Sequence, residues 1–102
     1  MDRNEFTKKM LSKDIYITQK EILHIINESI CNTPKMLKYI IAIEELSELQ
    51  KEISKHARGE HNWMAIVEEM ADVYIMLETI KHIVDIPATA VEKAINIKLA
   101  QL

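Results

Sequence analysis

The sequence predicts an all-α protein, and two observations carry this prediction. The first is composition, because the 102 residues include only one Gly and two Pro, while hydrophobic residues make up 48% of the chain and aromatic residues 5%. Few positions can therefore interrupt a helix. The second is the helical spacing of apolar residues between those breakers. We expect a four-helix bundle in one domain over residues 18–102, which is long enough for one modest hydrophobic core.

The first predicted helix follows an N-terminal arm. Residues 1–17 carry no decisive pattern, so this arm is open to either a helical turn or a frayed segment. Thr18 followed three positions later by Glu21 is a capping box, and apolar residues then recur at helical spacing. A helix over residues 18–31 is expected.

The second predicted helix has a proline start and a glycine stop. Thr33 precedes Pro34, which places a cap residue before proline at the first helical position. The pattern then continues without a breaker to Gly59, where a left-handed stop is expected. This helix is roughly 25 residues long, or about 37 Å.

The third and fourth predicted helices are separated by a break near residue 85. Asn62 is expected to cap the third helix, which runs to about Val84. Asp85 to Pro87 interrupt the chain, and a fourth helix follows to the C-terminus. Because the connection between the second and third helices is short, these two are expected to be antiparallel neighbours.

Charge and hydropathy exclude several classes of function. The formal net charge of −3 argues against a general nucleic-acid-binding protein, which needs a basic face. No apolar run approaches the roughly 20 residues that span a bilayer, so no membrane insertion is expected. Cys31 is the single cysteine and no leader pattern opens the chain, so a cytoplasmic location is expected. Cys31 itself is interpreted as a small buried hydrophobe.

The second helix carries a dense acidic face. Glu44, Glu45 and Glu48 fall within one arc of about 100°. An apolar stripe lies on the opposite side, made of Ile43, Leu46, Leu49 and Ile53. Taken alone, this helix is typical of a solvated acidic face whose apolar stripe packs on a core.

The third helix places two acids on an apolar face. Glu69 and Asp72 share a sector with Ile66, Val73 and Met76. Buried carboxylates need a basic partner, a proton or a cation, because an unpaired buried charge is costly. Two antiparallel helices with acids at i and i+3 can direct several oxygen ligands to one point. Such a set suits Mg²⁺ or Mn²⁺, and Mg²⁺ commonly completes its shell with water and phosphate oxygens.

These acids form a pattern that resembles a known family. Glu-Glu-x-x-Glu at 44, 45 and 48 is followed, after 20 intervening residues, by Glu-x-x-Asp at 69 and 72. The pattern and the helix order resemble the MazG-like all-α nucleoside triphosphate pyrophosphohydrolases over roughly residues 18–100. The resemblance implies hydrolysis of a (deoxy)nucleoside triphosphate to the monophosphate and pyrophosphate, with a role in nucleotide-pool cleansing. It also implies a homo-oligomer, either a dimer or a tetramer.

The resemblance assigns roles to the acids by position. Mg²⁺, or Mn²⁺ in its place, would be held by four of them, namely Glu45, Glu48, Glu69 and Asp72. Water would attack the α-phosphorus, and either Glu44 or Glu48 would take the proton from that water. The metal would stabilise the charge that grows on the leaving pyrophosphate.

Five further residues are candidates for substrate binding. Lys55 lies two turns beyond Glu48, and Arg58 lies near the end of the same helix, so both could reach phosphate. Lys93 and Asn96 resemble a Lys and an Asn that related proteins use at the nucleotide. Trp63 could stack on a base. Each also has a structural interpretation, because solvated cations at a helix end and a Trp that anchors a core or an interface are common.

Two other functions fit parts of the pattern. Glu21-x-x-His24 matches one half of a di-iron carboxylate signature, but the second half is absent. A non-catalytic helical dimerisation or regulatory module, whose acidic patch meets a basic partner, is the other alternative. The third helix is apolar around most of its circumference, which predicts an oligomer under either the enzymatic or the modular interpretation.

Overall fold

The chain is all-helical in the computed structural model, which describes residues 1–12 and 15–102. Within these ranges there are five helices and no strand. They are α1 (Arg3–Met10), α2 (Gln19–Cys31), α3 (Lys35–Ala57), α4 (Trp63–Val84) and α5 (Ala90–Leu99). The all-α prediction is confirmed. The four predicted helices correspond to α2 to α5, and α1 is an additional helix inside the N-terminal arm.

The caps of α1 and α2 use side-chain oxygens. Asp2 accepts a hydrogen bond from the backbone N–H of Glu5 at 2.8 Å, which satisfies a free donor at the start of α1. Thr18 accepts from the backbone N–H of Glu21 at 3.2 Å, and its hydroxyl donates to the Glu21 carboxylate at 2.9 Å. The predicted capping pair is therefore present at the start of α2.

A residue with a left-handed backbone conformation follows each of the two long helices. At the end of α3, Gly59 has φ of 102°, its N–H donates to the carbonyl of His56, and the N–H of Glu60 donates to that of Lys55. This is the glycine stop that the sequence predicts. Asp85 plays the same part after α4, with φ of 59° and ψ of 42°. Aspartate tolerates this conformation better than most residues other than glycine.

The α3–α4 hairpin is the centre of the fold. These two helices run antiparallel and pack along each other, while α2 and α1 each lie against α4. Every residue of α5 beyond its first is exposed. The fourth helix of the predicted bundle, which is α5, is therefore largely exposed in the single chain.

The core of the single chain is thin. Its buried hydrophobic residues are Ile26, Ala42, Ala65, Met76 and Ile83. Many large apolar side chains remain exposed on α3, α4 and α5. None of the helices in the described ranges combines the length and the hydropathy that a bilayer crossing requires.

The rotation of α3 differs from the expectation for this helix taken alone. Ile43 is 64% exposed and Ile53 is 52% exposed, whereas Glu52 on the acidic side is only 5% exposed. Ala42 and Glu52 are the buried residues of α3, and Asn62, just before α4, donates hydrogen bonds to Glu52. Periodicity located the two faces correctly, but it assigned the apolar stripe to the core, whereas in the structure Leu49 is half-buried and the rest of the stripe is exposed.

A second expectation was also wrong. Cys31 is exposed instead of buried. It is the last residue of α2, so its thiol lies at a helix end and not on the face that packs against α4.

Candidate metal centre

Three carboxylates from α3 and α4 converge between the two helices. Glu45, Glu69 and Asp72 each offer an oxygen, and these oxygens lie within 4.8 Å of one another. Glu69 is buried, and the other two are half-buried. The convergence follows from the antiparallel hairpin, which places the middle of α3 opposite the first turns of α4. Glu69 and Asp72 are one helical turn apart and therefore point in similar directions.

The donor set suits a hard divalent cation. All three ligand atoms are carboxylate oxygens, which Mg²⁺, Mn²⁺ and Ca²⁺ prefer, so the set alone does not select among these ions. Oxygens on opposite sides of an octahedral Mg²⁺ are about 4 Å apart. Oxygens within 4.8 Å of one another thus need only small side-chain rotations to converge on one ion. The residues present fit such an ion.

Crowding of like charges perturbs the protonation of this cluster. The pKa of Glu45 is raised to about 7, first by burial, then by the charge of the nearby Asp72 and a hydrogen bond shared with it, and also by the charges of Glu69 and Glu48. Burial and the charge of Asp72 also raise the pKa of Glu69, against the opposing influence of Arg3. Without a bound cation, a proton held by Glu45 relieves repulsion in the cluster near neutral pH.

Arg3 of the N-terminal arm lies against the same acids. Its Nη2 is 2.8 Å from Glu69 Oε1, its Nε donates to Glu68, and its Nη1 is 3.8 Å from Glu52 Oε1. Sequence reasoning did not find this contact, since 66 residues separate Arg3 from Glu69. The available signal was weak, namely an arginine in an arm whose other cations are lysines. Arg3 supplies the basic partner that a structural interpretation of Glu69 requires.

Glu52 and Asn62 form a buried polar contact beside the cluster. The Asn62 amide nitrogen donates to Glu52 Oε2 at 2.8 Å and to the Glu52 backbone carbonyl at 2.9 Å. This hydrogen bond lowers the pKa of Glu52 despite its burial, with help from Lys55 and Arg3. The side chain of Asn62 thus bonds to α3 and makes no capping hydrogen bond to α4. The prediction that Asn62 caps this helix through its side chain was wrong. The Asn62 Oδ1 atom is buried and has no hydrogen-bond partner.

The remaining predicted acids lie at the edge of the cluster. Glu44 and Glu48 are exposed on α3, and neither belongs to the group of converging oxygens. The negative charge of Glu48 is nevertheless close enough to raise the pKa of both Glu45 and Glu69. Glu48 therefore lies within electrostatic range of the cluster.

The predicted substrate-binding residues are dispersed in the single chain. Lys55 Nζ is 3.3 Å from Glu52 Oε1, so this cation lies beside the acids. Arg58 donates to the hydroxyl of Ser54 at 2.7 Å, on the exposed surface. Trp63 is 63% exposed at the start of α4.

The residues predicted on α5 do not reach the cluster in the single chain. Lys93 and Asn96 are exposed, and neither makes a side-chain hydrogen bond or an ion pair with any residue of the described ranges. The di-iron half-signature also lies apart from the cluster, because Glu21 contacts Thr18 and His24 lies 3.2 Å from Glu28.

Comparisons with known proteins identify no related protein. Neither protein-family models, nor curated proteins, nor solved structures give a significant match to this chain. The MazG-like resemblance therefore rests on the acidic pattern and its helical setting.

Proposed function

We propose that this protein is a divalent-cation-dependent nucleoside triphosphate pyrophosphohydrolase of the MazG-like kind. The observation that supports the proposal most directly is the convergence of Glu45, Glu69 and Asp72 from two helices. These are three of the four residues to which the MazG-like resemblance assigns metal ligation. The pattern and the geometry are separate observations, and both favour the same acids.

The proposed roles follow from where the side chains lie. Glu45, Glu69 and Asp72 would hold the cation, which when bound would supply positive charge at the phosphates and at the leaving pyrophosphate. Glu48 is exposed one turn along α3, so its side chain can join them by rotating. Either Glu44 or Glu48 accepts the proton of the water that attacks the α-phosphorus. Hydrolysis then yields the nucleoside monophosphate and pyrophosphate.

The proposal is tested by an assay that distinguishes attack at the α-phosphorus from attack at the γ-phosphorus. Purified protein is incubated with a panel of standard and modified nucleoside triphosphates, with Mg²⁺, with Mn²⁺ or with EDTA. We expect pyrophosphate and a monophosphate from at least one substrate, only when a divalent cation is present. Release of orthophosphate alone would mean that the γ-phosphorus is attacked, and the proposal would be wrong.

We also propose that the active form is a homo-oligomer. One side of the α3–α4 hairpin is an uncovered apolar surface, to which α3 contributes Leu46, Leu49 and Ile53 and α4 contributes Met70, Tyr74 and Leu77. A second copy of this chain is the occupant that we propose for this surface, called the apolar face below. Assembly would also give the exposed α5, with Lys93 and Asn96, a partner subunit to pack against.

A non-catalytic dimerisation module is the second candidate. The contacts of Arg3 with Glu68 and Glu69 favour it, since they show that part of the acidic cluster has a partner without any metal. They leave Glu45 and Asp72 without an ion-pair partner among the described residues. The two candidates are separated by metal binding, which the module does not need, and by the pyrophosphate assay.

A further inference from the structure

The guanidinium of Arg3 bridges acids of both central helices. It contacts Glu68 and Glu69 on α4 and lies 3.8 Å from Glu52 on α3. A planar group with five donors is suited to such multiple carboxylate contacts. One side chain from the arm thus joins the two walls of the site at the edge of the candidate metal centre.

The contact with Glu69 conflicts with metal binding. Arg3 Nη2 lies 2.8 Å from Glu69 Oε1, and Glu69 also contributes an oxygen to the converging cluster. Glu69 is 7% exposed, so water screens the charges around it poorly. A divalent cation in the cluster would repel a guanidinium held this close. The two cations therefore compete for the same carboxylate.

The arm is held weakly enough to move. α1 has eight residues and buries none of them, and its packing is confined to a small area of α4. Only Phe6 and Thr7 are even partly covered. The Arg3 side chain is itself 41% exposed, so water can solvate its guanidinium when it leaves the carboxylate. A divalent cation that takes its place would in turn neutralise Glu69.

We propose that Arg3 is a built-in counterion that occupies the edge of the candidate metal centre and yields it to a divalent cation. This inference rests on the proposed function. In the metal-free protein, Arg3 neutralises the Glu68 and Glu69 side of the cluster. The cation must displace it, so Arg3 raises the concentration of divalent cation at which the centre fills.

The test measures Mn²⁺ binding by electron paramagnetic resonance, without substrate. Four proteins are compared, namely wild type, Arg3→Gln, Lys8→Gln and the double variant Glu45→Gln/Asp72→Asn. Lys8→Gln is the matched control, because Lys8 lies on α1 and its ammonium contacts no carboxylate of the described residues. We expect Arg3→Gln to bind Mn²⁺ roughly three- to tenfold more tightly than wild type and Lys8→Gln.

The outcomes separate this inference from the proposed function. Equal affinity in wild type and Arg3→Gln, with binding lost in the double variant, would overturn the role of Arg3 and leave the metal centre standing. Binding that is absent in wild type, or unaffected by the double variant, would overturn the metal centre and this inference with it.

A measurement on the unmodified chain guards against misfolding of the variant. The side-chain Nε–H resonance of Arg3 is followed by NMR while Mg²⁺ is added. We expect this resonance to move toward the position of a solvated arginine as the centre fills. A resonance that stays unchanged at saturating Mg²⁺ would show that Arg3 keeps its carboxylate contacts, and the inference would be wrong.

Discussion

Glu45, Glu52 and Glu69 are chemically identical side chains whose pKa values move in different directions because their neighbours differ. Glu45 and Glu69 face other carboxylates at partly buried positions, and their pKa values are raised. Glu52 is at least as buried, yet its pKa is lowered because the Asn62 amide donates to its carboxylate. Hydrogen bonding decides the outcome for Glu52, while burial and like charges decide it for the other two.

The raised pKa of Glu45 predicts that the metal-free protein loses stability as pH rises. Below about pH 4.5 the carboxyl is protonated in both states, and between that pH and about 7 the unfolded chain ionises first. The stability that Glu45 contributes is therefore fully present below about pH 4.5 and is lost as the pH rises to about 7. The loss is at most about 3 kcal/mol. Glu69 acts in the same direction, whereas the contribution of Glu52, whose pKa is lowered, changes only below pH 4.5.

Denaturant unfolding in EDTA at several pH values checks this prediction. Glu45→Gln should remove most of the loss between pH 4.5 and 7. Glu44→Gln changes an exposed neighbour in the same way, so it should keep the wild-type profile. If Glu45→Gln and wild type lose stability in parallel, Glu45 does not titrate in this range.

Asp72→Asn should abolish most of the proposed activity. The substitution keeps the size of the side chain but removes a charge that would hold the cation, so we expect at least a hundredfold fall in kcat/KM, or about 2.7 kcal/mol of transition-state stabilisation. Asp85→Asn is the control, because asparagine also tolerates the left-handed conformation found after α4. Steady-state pyrophosphate release measures both. Near-wild-type turnover in Asp72→Asn would contradict the proposed site.

Divalent cations should stabilise the folded protein through the same carboxylates. A ligand that binds only the folded state at a hundred times its Kd adds about 2.7 kcal/mol of stability. Saturating Mg²⁺ should accordingly raise the Tm by several degrees, as measured by scanning calorimetry. Glu45→Gln/Asp72→Asn should show no such rise. An equal rise in wild type and in this double variant would place the ion elsewhere.

At the scale of elements, a polar contact fixes how α3 and α4 meet. Asn62 stands just before α4 and donates to both the side chain and the backbone of Glu52 on α3. These hydrogen bonds close the hairpin next to the turn at Gly59. They also hold the acidic side of α3 toward α4, which is the arrangement that brings Glu45 opposite Asp72.

Asn62→Ala should therefore destabilise the hairpin. It leaves the buried Glu52 carboxylate without its main donor, at a cost of about 1–3 kcal/mol. Asn27→Ala, at an exposed position of α2, should change stability by less than about 0.5 kcal/mol. Urea denaturation at fixed protein concentration compares the two. A similar small effect of both substitutions would mean that apolar packing alone sets the hairpin.

Sequence patterns predicted the elements better than their contacts. Thr18 predicted the start of α2, Gly59 the end of α3 and the break after Val84 the end of α4, because caps and stops depend on local sequence. Periodicity also gave the angular positions of the acids on α3. It did not show which face of α3 meets α4, since that depends on the contact between Asn62 and Glu52, which lie 10 residues apart on either side of the hairpin turn. The contact of Arg3 depends on the path of the whole chain and has no local signal.

At the scale of the molecule, the single chain is more open than a compact domain of its size. Its accessible surface is 8241 Å² and its radius of gyration 15.6 Å. A compact monomer of this mass exposes about 6,000 Å², with a radius of gyration of about 13 Å. The exposed α1 and α5 account for part of the difference, and the apolar face accounts for another part.

The excess surface is large enough for a stable interface. It amounts to roughly 2,300 Å² per chain, so a dimer that covered it would bury roughly 4,600 Å² in total. Obligate homodimers commonly bury about 2,000–5,000 Å². The apolar face is one part of this surface, and its apolar character is that expected of an interface between copies.

The last prediction is that folding and assembly are coupled. If the apolar face is buried only between copies, unfolding by heat or urea should occur at a midpoint that rises with protein concentration. Light scattering at micromolar concentration should give a mass that is a multiple of the 11.9 kDa of one chain. Leu46→Lys places a charge on this face and should lower both the mass and the Tm, because a buried, unpaired lysine is costly.

Asn27→Lys adds the same charge to an exposed position on α2, and it should leave the assembly intact. A mass near one chain for wild type, with a midpoint that does not depend on concentration, would show that the single chain is stable with its apolar face in water. The open shape of the monomer would then be its working form, and the exposed α5 residues Lys93 and Asn96 would have no partner subunit through which to reach the carboxylates. Activity of the proposed kind would in that case have to arise from the residues of the α3–α4 hairpin alone.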